Sequence, residues 1–544
     1  MTQTTALLIE ASGIQEYIFG SNELAQNIGA SELVTQATTD WLFDEQNGLL
    51  PKPHNVQRAR QGAATRWQIN DQGLARGLAI ETVYAGGGNA LILFASEEEA
   101  KKTVYRLTRK ALRDAPGLRL EAAWMSFAGG DLAKTVKALR NQISQQKRSP
   151  QHSAPLLGLG VTAACDFTGA PAVEMDDAGR YISAEAQAKQ RVGYSNGPGN
   201  GRLLEYLHDI RQENFEFVYD FNQLGEHKET SYLAVVHTDG NRMGDRIQAY
   251  VDRYADDDEA YIKAQREFSN KVQEAAHSAL NSTVGLMLAP RNLTWDEQAK
   301  LYLLGGEVPI PRRDGSDRLP FRPIVFGGDD VTFVCEGRLG LPLAAHYLSR
   351  LAEEQLPDGY PLYARAGVAI VKTHYPFARA YELADALCAS AKNLIQMIDR
   401  PTRRATALDW HFAVSGLVQP LSVLRKREYT VSDGSLLMRP VRLAPVDSNE
   451  WRSWDVFDDL VNAFAHDKTW AGRRNKVKAL REALRAGSDA TKLFLRNLSD
   501  SPKLPETPGL ASAGDATTTG WQGGRCVYFD AIEALDFCVS LEGV

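Results

Sequence analysis

Three aspartates carry the chemistry suggested by this sequence: Asp239 in LAVVHTDGN, and the adjacent Asp329 and Asp330 in VFGGDDVTFVC. Clustered carboxylates repel one another unless a hard divalent cation neutralises them, and an all-oxygen ligand set selects Mg²⁺ or Mn²⁺ over zinc. Two such cations would activate a ribose hydroxyl as nucleophile and stabilise an in-line displacement at phosphate. Gly327 and Gly328 lack Cβ atoms, so a triphosphate can approach the backbone there, and the Gly240 carbonyl offers a further ligand. Lys392, on a helix that starts near Pro376, is either a solvated partner of the helix dipole or a point charge for the β- and γ-phosphates. A lone GGDD also reads as a type I′ hairpin turn, and what tips the balance is where Asp239-Gly240 falls in an internal repeat.

That repeat supplies the elements that must position these groups. An apolar strand, Ala6 to Ala11, runs into Ser12-Gly13-Ile14, and another, Tyr232 to Thr238, runs into Asp239-Gly240-Asn241. Each is followed by a glycine pair between two β-rich runs, Tyr84 to Phe94 and Val325 to Cys335, the signature of a β-hairpin. A helix (Glu97 to Asp114; Leu339 to Gln355), a strand (Leu118 to Phe127; Tyr363 to Val371) and a second helix (Asp131 to Gln145; Pro376 to Asn393) then follow in both. The order β, α, β-hairpin, α, β, α predicts a ferredoxin-like α+β layer in each copy. Aligning the copies sets Asp239 opposite Ser12, and Asp329 and Asp330 opposite Gly88 and Asn89, so the acidic trio is expected in one copy only.

Composition bounds the rest. A chain of 544 residues needs three or four domains, and 44% hydrophobic with 24% charged residues is a globular profile. A net charge of -7 excludes polyanion binding by bulk electrostatics, so any nucleic-acid contact is local. Five cysteines without a CxxC pair argue against a disulfide scaffold or a zinc ribbon and fit a reducing cytoplasm. The N-terminus lacks the features of a signal peptide, and no apolar run is long enough to span a bilayer. Linker composition at Gln145 to Pro155 and Gly193 to Gly201 divides the chain near 1–150, 151–228, 229–412 and 413–544. Asp252 to Glu259 reads as an exposed acidic turn, and Glu307 to Pro323 as an irregular insertion. Lys468 to Arg496, with nine basic residues against two acids, reads either as a solvated helix face or as a phosphate-facing one. His237, Cys335 and Cys388 read as core residues, while His374 falls near the proposed substrate site.

LAVVHTDGNRMGDRI, VFGGDDVTFVC, ARAGVAIVKTHYPFARAYELADALCASAK and LDWHF together resemble the catalytic palm of the large subunit of type III CRISPR effector complexes, a family related to the GGDEF nucleotide cyclases. SGIQEYIFGSNELAQNIGASELV and YAGGGNALILF resemble that family's degenerate first palm, and MRPVRLAPV and YFDAIEALDF its C-terminal helical region. The resemblance implies two ferredoxin-like palms in tandem, the first at 1–150 and the catalytic one at 229–412. A small α-rich domain at 151–228 would lie between them, and a helical domain would follow at 413–544. It implies joining of ATP through 3′–5′ bonds, with loss of pyrophosphate, into a cyclic oligoadenylate second messenger. Asp239, Gly240, Asp329 and Asp330 would hold two Mg²⁺ or Mn²⁺ ions, and Gly327, Gly328 and Lys392 would hold nucleotide. Each palm would bind one ATP at a shared interface, with Gly86, Gly87, Gly88 and Asn89 contacting the second. The implied partners are other effector subunits, guide RNA and an activating target RNA, with no membrane. The chain departs from the family pattern at three places. Asn241 stands where the family's first motif has an acidic residue at its third position, and the sequence opens at the first palm without an HD-type nuclease, so no DNA cleavage is expected. The inter-palm segment keeps a single Cys165, so no zinc is expected there. Two other readings stay open: a non-catalytic RNA-binding scaffold of a ribonucleoprotein, and a cyclase making a different cyclic nucleotide.

Overall fold

Alternating runs of aliphatic and β-branched residues form strands, and apolar residues three and four apart form helices, in the order read from the repeat. The computed structural model describes residues 4–61, 64–74, 77–148, 160–194, 197, 201–203, 214–224, 231–313, 315–398, 404–413, 419–444, 450–498, 502–510 and 515–543. The first half comprises β1 (Thr4–Ser12), α1 (Ile14–Phe19), α2 (Leu24–Thr38), the hairpin β2 (Val56–Gln61) and β3 (Ala64–Ile69), a second hairpin β4 (Ile80–Gly86) and β5 (Asn89–Phe94), then α3 (Glu97–Asp114), β6 (Arg119–Phe127) and α4 (Leu132–Arg148). Its sheet runs β4-β5-β1-β6, antiparallel throughout.

The intervening segment holds a hairpin of β7 (Ala172–Met175) and β8 (Tyr181–Ser183), α5 (Ala184–Gly193) and β9 (Phe215–Phe217). Its described residues hold short strands as well as helix, and much of the segment, 204–213 included, lies outside them. The boundaries at 150 and 228 lie outside the described residues.

The second half repeats the first on a larger scale. It comprises β10 (Tyr232–Gly240), α6 (Met243–Val251), α7 (Asp258–Leu288), β11 (Leu293–Asp296), β12 (Leu301–Leu304), β13 (Val308–Ile310), β14 (Arg312–Arg313), β15 (Ser316–Leu319), β16 (Phe321–Val325), β17 (Val331–Glu336), α8 (Gly340–Glu353), β18 (Ala364–Lys372), α9 (Phe377–Ile398) and β19 (Ala407–Ala413). The stretch 307–323, expected to be irregular, is a run of short strands; β15 pairs in parallel with β9, and β13 is the edge of a small sheet, where proline is tolerated. The C-terminal region is mainly helical, with α10 (Leu421–Glu428), α11 (Trp454–His466), α12 (Arg474–Arg485), α13 (Ser488–Asn497) and α14 (Phe529–Ala534). It also contributes β20 (Val441–Arg442), which closes the main sheet in the order β16-β17-β10-β18-β19-β20. A division at 412 therefore cuts through a sheet.

Both halves share their cores. One apolar cluster joins Ala6 and Leu8 of β1 to Ala234 and Val236 of β10 and to Phe268 and Val272 of α7; a second joins Leu7 and Ile9 to Leu233 and Val235. Helix α7 is the strut between the halves. Its Arg266 guanidinium donates to the Glu81 carboxylate and the Thr82 carbonyl of β4, each at 2.8 Å. Asp258 at its start accepts from the Gly130 and Leu132 amides, capping α4 of the first half. The acidic stretch at 252–259 is thus partly a cap, not simply an exposed turn.

Candidate functional site

Leu233 to Val236 are buried in the middle of the sheet, and β10 delivers Asp239 to the sheet's end, where the chain turns into α6 with Arg242 in the left-handed region at φ 55°. Asp329 and Asp330 occupy the β16–β17 turn, set beside Asp239 because Thr238 pairs with Val331. The turn and the strand end touch: a Cβ added at Gly240 would lie 2.8 Å from Asp329 Cβ, so glycine is what lets Asp329 sit there. The structure therefore brings the three predicted aspartates together. Burial and the neighbouring Asp239 push the Asp329 carboxyl up to about 6, and burial with Asp329, Asp239 and Asp385 pushes Asp330 well above the usual carboxylate range. Asp239 is also raised by burial, against the opposing pull of Arg365 and Lys392.

Arg365 and Asp385 join this site without having been singled out in the sequence, and His237 lies beside them. Arg365 lies directly across from Asp239 on β18, pairs with its carboxylate, and donates to the Gly240 carbonyl at 3.2 Å and to Asn241 Oδ1 at 2.9 Å. His237 is buried, hydrogen-bonds Thr332 at 3.1 Å, and stands 3.4 Å from Asp330 and 3.7 Å from Asp385. It is a core residue, as read, yet it also braces the acidic turn. Burial, then Arg365, lowers its pKa to about 4, so the ring is neutral near pH 7. Asp385, on α9, is a fourth carboxylate; it lies seven positions before Lys392, on the same helical face. Asn241 turns inward instead: its amide donates to the Ala405 carbonyl at 2.8 Å while its oxygen accepts from Arg365. Its place in the motif therefore supplies a structural bridge.

Among the described residues no three His, Cys, Asp or Glu side chains are grouped as a ready metal site. The donor chemistry nevertheless fits a hard cation. Asp330 Oδ1 is buried without a hydrogen-bond partner, Asp239 raises the pKa of Asp329 and both raise that of Asp330, and Asp239 is already neutralised by a cationic side chain, Arg365.

Strand register corrects the alignment of the two copies. Gly88 lies against Ala11 in the first half as Asp329 lies against Gly240 in the second, and the left-handed helix caps are Gly13 and Arg242. Ile9 pairs with Ala90 as Thr238 pairs with Val331. Gly88 and Asn89 keep their places opposite Asp329 and Asp330, but Asp239 matches Glu10, not Ser12. The first half thus retains one of the carboxylates. Glu10 faces Glu121 across the sheet, where Asp239 faces Arg365. Lys147, the sixteenth residue of α4, holds Glu10 at 2.7 Å, and Lys392 is the sixteenth residue of α9, with its charge acting on Asp239.

The remaining predicted glycines divide. Gly86, Gly87 and Gly327 line a cavity of about 480 Å³ between the two turns, with Trp67, Arg58 and Phe326 on its walls. Gly328, Gly88, Asn89 and Lys392 are not among its lining. His374 is exposed, and Cys335 and Cys388 are buried. In the basic stretch, Val477, Leu480 and Leu484 point inward while Arg474 pairs with Asp536, the arrangement of a solvated helix face.

No protein-family model matches the chain, and no curated protein matches it in sequence. Solved structures do match in fold. Csm1 from T. onnurineus is 14% identical at a TM-score of 0.52, the match covering 99% of this chain and 70% of that one. A Csm1-Csm4 cassette in complex with pppApApA and the apo cassette each match at 14% identity and a TM-score of 0.51, with the same coverage. The chain thus has an α+β fold like that of Csm1.

Proposed function

We propose that this chain joins ATP molecules with loss of pyrophosphate into cyclic oligoadenylate, as the catalytic palm subunit of a type III CRISPR effector. The observation that carries this reading is the partnerless buried oxygen of Asp330 beside Asp239 and Asp329, three carboxylates held where charge must be neutralised. Asp239, Asp329 and Asp330, with the Gly240 carbonyl, would hold Mg²⁺ or Mn²⁺. When bound, the metal supplies activation of a ribose hydroxyl and charge neutralisation at phosphate. Gly240 keeps Asp329 against the strand end, and His237, hydrogen-bonded to Thr332, stands 3.4 Å from Asp330 without a hydrogen bond to it. Gly86, Gly87 and Gly327 leave backbone open to a nucleotide in the cavity between the turns, and Lys392 adds positive charge near Asp239. Likeness of fold to a chain crystallised with pppApApA supports adenylate as the substrate class, and likeness to a Csm1-Csm4 cassette supports a second effector subunit as partner. Guide and target RNA complete the proposed assembly, target RNA acting as the switch.

One observation favours a second reading. The Arg365–Asp239 pair satisfies part of the acidic cluster without metal, which suits a non-catalytic scaffold. Incubating the chain with α-labelled ATP and Mn²⁺, alone and with RNA-loaded partner subunits, decides between the two. Oligoadenylate that is lost in Asp329→Ala/Asp330→Ala establishes the enzyme, and no ATP turnover in either setting rejects it.

A further inference from the structure

The cavity of about 480 Å³ between the two glycine turns has helical walls that differ in what they leave unpaired. On the wall built by α2 and the residues just after it, the charged and polar groups pair among themselves. The Gln36 amide donates to Glu32 at 3.0 Å, Glu32 pairs with Arg202 at 2.7 Å, and Asp40 accepts from Trp67 Nε1 at 3.1 Å and from Arg58 at 3.3 Å. Both arginines also lie over rings, Arg58 over Trp67 and Arg202 over Phe326. The lining holds no other cation, and Glu274 adds a third carboxylate, so this space disfavours a triphosphate and suits the uncharged part of a nucleotide, leaving the phosphates to the glycine backbone of the turns. On the α7 wall, Asn270 and Gln273 are three residues apart and therefore on one helical face. Both are exposed into the cavity, and neither makes a hydrogen bond among the described residues. Gly86 leaves the second of them room, because a Cβ there would stand 3.0 Å from Gln273 Nε2. An amide sets a donor beside an acceptor. Adenine offers the complementary pair on each of its polar edges, the 6-amino group beside a ring nitrogen, whereas guanine sets two acceptors together on one edge and adds a second amino group on the other.

We propose that Gln273, with Asn270 beside it, reads the base of the nucleotide held at the first half's turn: its carbonyl accepts from the adenine 6-amino group and its N–H donates to the neighbouring ring nitrogen. Trp67 and Phe326 bound the space that the ring enters. The inference rests on the ATP-joining reading above and adds to it the residues that set base preference. The strut helix, which ties the halves together, would then also select what is bound between them.

The test is equilibrium dialysis of the full chain, alone and with RNA-loaded partner subunits, in Mg²⁺. The probes are the β,γ-imido analogues of ATP, of GTP and of purine riboside triphosphate, which lacks the 6-amino group. The wild type favours the adenine nucleotide over both others by about five- to 150-fold, the discrimination of one bidentate pair. Gln273→Ala removes that preference, binding the adenine and purine riboside nucleotides alike, without moving the melting temperature, and Asn270→Ala reduces it in part. Gln273→Glu can only accept, so it loses the ring-nitrogen contact and turns the preference toward guanine, whose N1–H and N2–H both donate. A preference for adenine that persists in Gln273→Ala overturns this inference alone, as does a wild-type preference for guanine that is lost in Glu274→Gln, which would make the carboxylate the reader. Equal binding of all three nucleotides by the wild type also overturns it while leaving the joining reaction standing, whereas binding of none in either setting overturns it together with the reading it rests on.

Discussion

In the first sheet Gly88 rests against Ala11; in the second, Asp329 rests against Gly240. The frame is the same, and the side-chain volume has changed sides. Moving the glycine from the turn to the strand end makes room for a carboxylate at the turn, and the next position changes from Asn89 to Asp330. Across the sheet the exchange runs the other way, Glu121 in one half against Arg365 in the other. The lesson is that an acidic centre in this fold needs both a glycine to admit it and a cation opposite to neutralise it. The first half has neither arrangement, though it keeps Glu10 and Lys147.

The largest effect should come from erasing the difference at the turn. Asp329→Ala with Asp330→Ala is expected to reduce oligoadenylate synthesis by more than about 10²–10³-fold, measured with labelled ATP, whereas Gly88→Ala leaves the aspartates in place. Gly240→Ala should come next, since the new Cβ meets Asp329 Cβ at 2.8 Å. Overpacking of this kind costs about 1–3 kcal/mol in denaturant melts, against about 0.5–1 kcal/mol for Ala11→Gly at the matching position. Arg365→Gln removes a cation from a partly exposed ion pair and should lower metal-free stability by about 1–3 kcal/mol. Mn²⁺ should then raise the melting temperature more in this variant than in the wild type; an equal rise in both would break the argument that Arg365 stands in for a cation. The smallest effect is in pH. A carboxyl whose folded pKa is raised holds its proton more tightly when folded, so the stability it contributes is present below 3.8 and is lost as pH rises toward about 6. Metal-free melts should show that decline in the wild type, with Asp330 adding to it in the same direction, and a shallower one in Asp329→Asn.

The repeat, its hairpins and the meeting of the three aspartates were legible because glycine pairs between β-rich runs are a local signal. The register was not. A slip of two residues leaves every side chain on the same face, so the apolar alternation that sets Ala6 and Leu8 against Leu7 and Ile9 carries no information about it, and Ser12 was matched where Glu10 belongs. Arg365 lies 126 residues beyond Asp239 and reaches it only through the β10–β18 pairing, which no local pattern encodes. Asp385 had a fainter signal, sharing a helical face with Lys392. The strands within 307–323 were hidden by prolines that sheet edges tolerate.

The strut α7 has a thermodynamic consequence. Arg266 and Asp258 tie it to β4 and α4, and both apolar clusters draw residues from each half, so the two cores are continuous. Separating them would uncover the faces of α7, β4 and α4 that pack on one another. Calorimetry should therefore record the two sheets melting in one cooperative transition, and a fragment ending at the first half should not reach the native state alone.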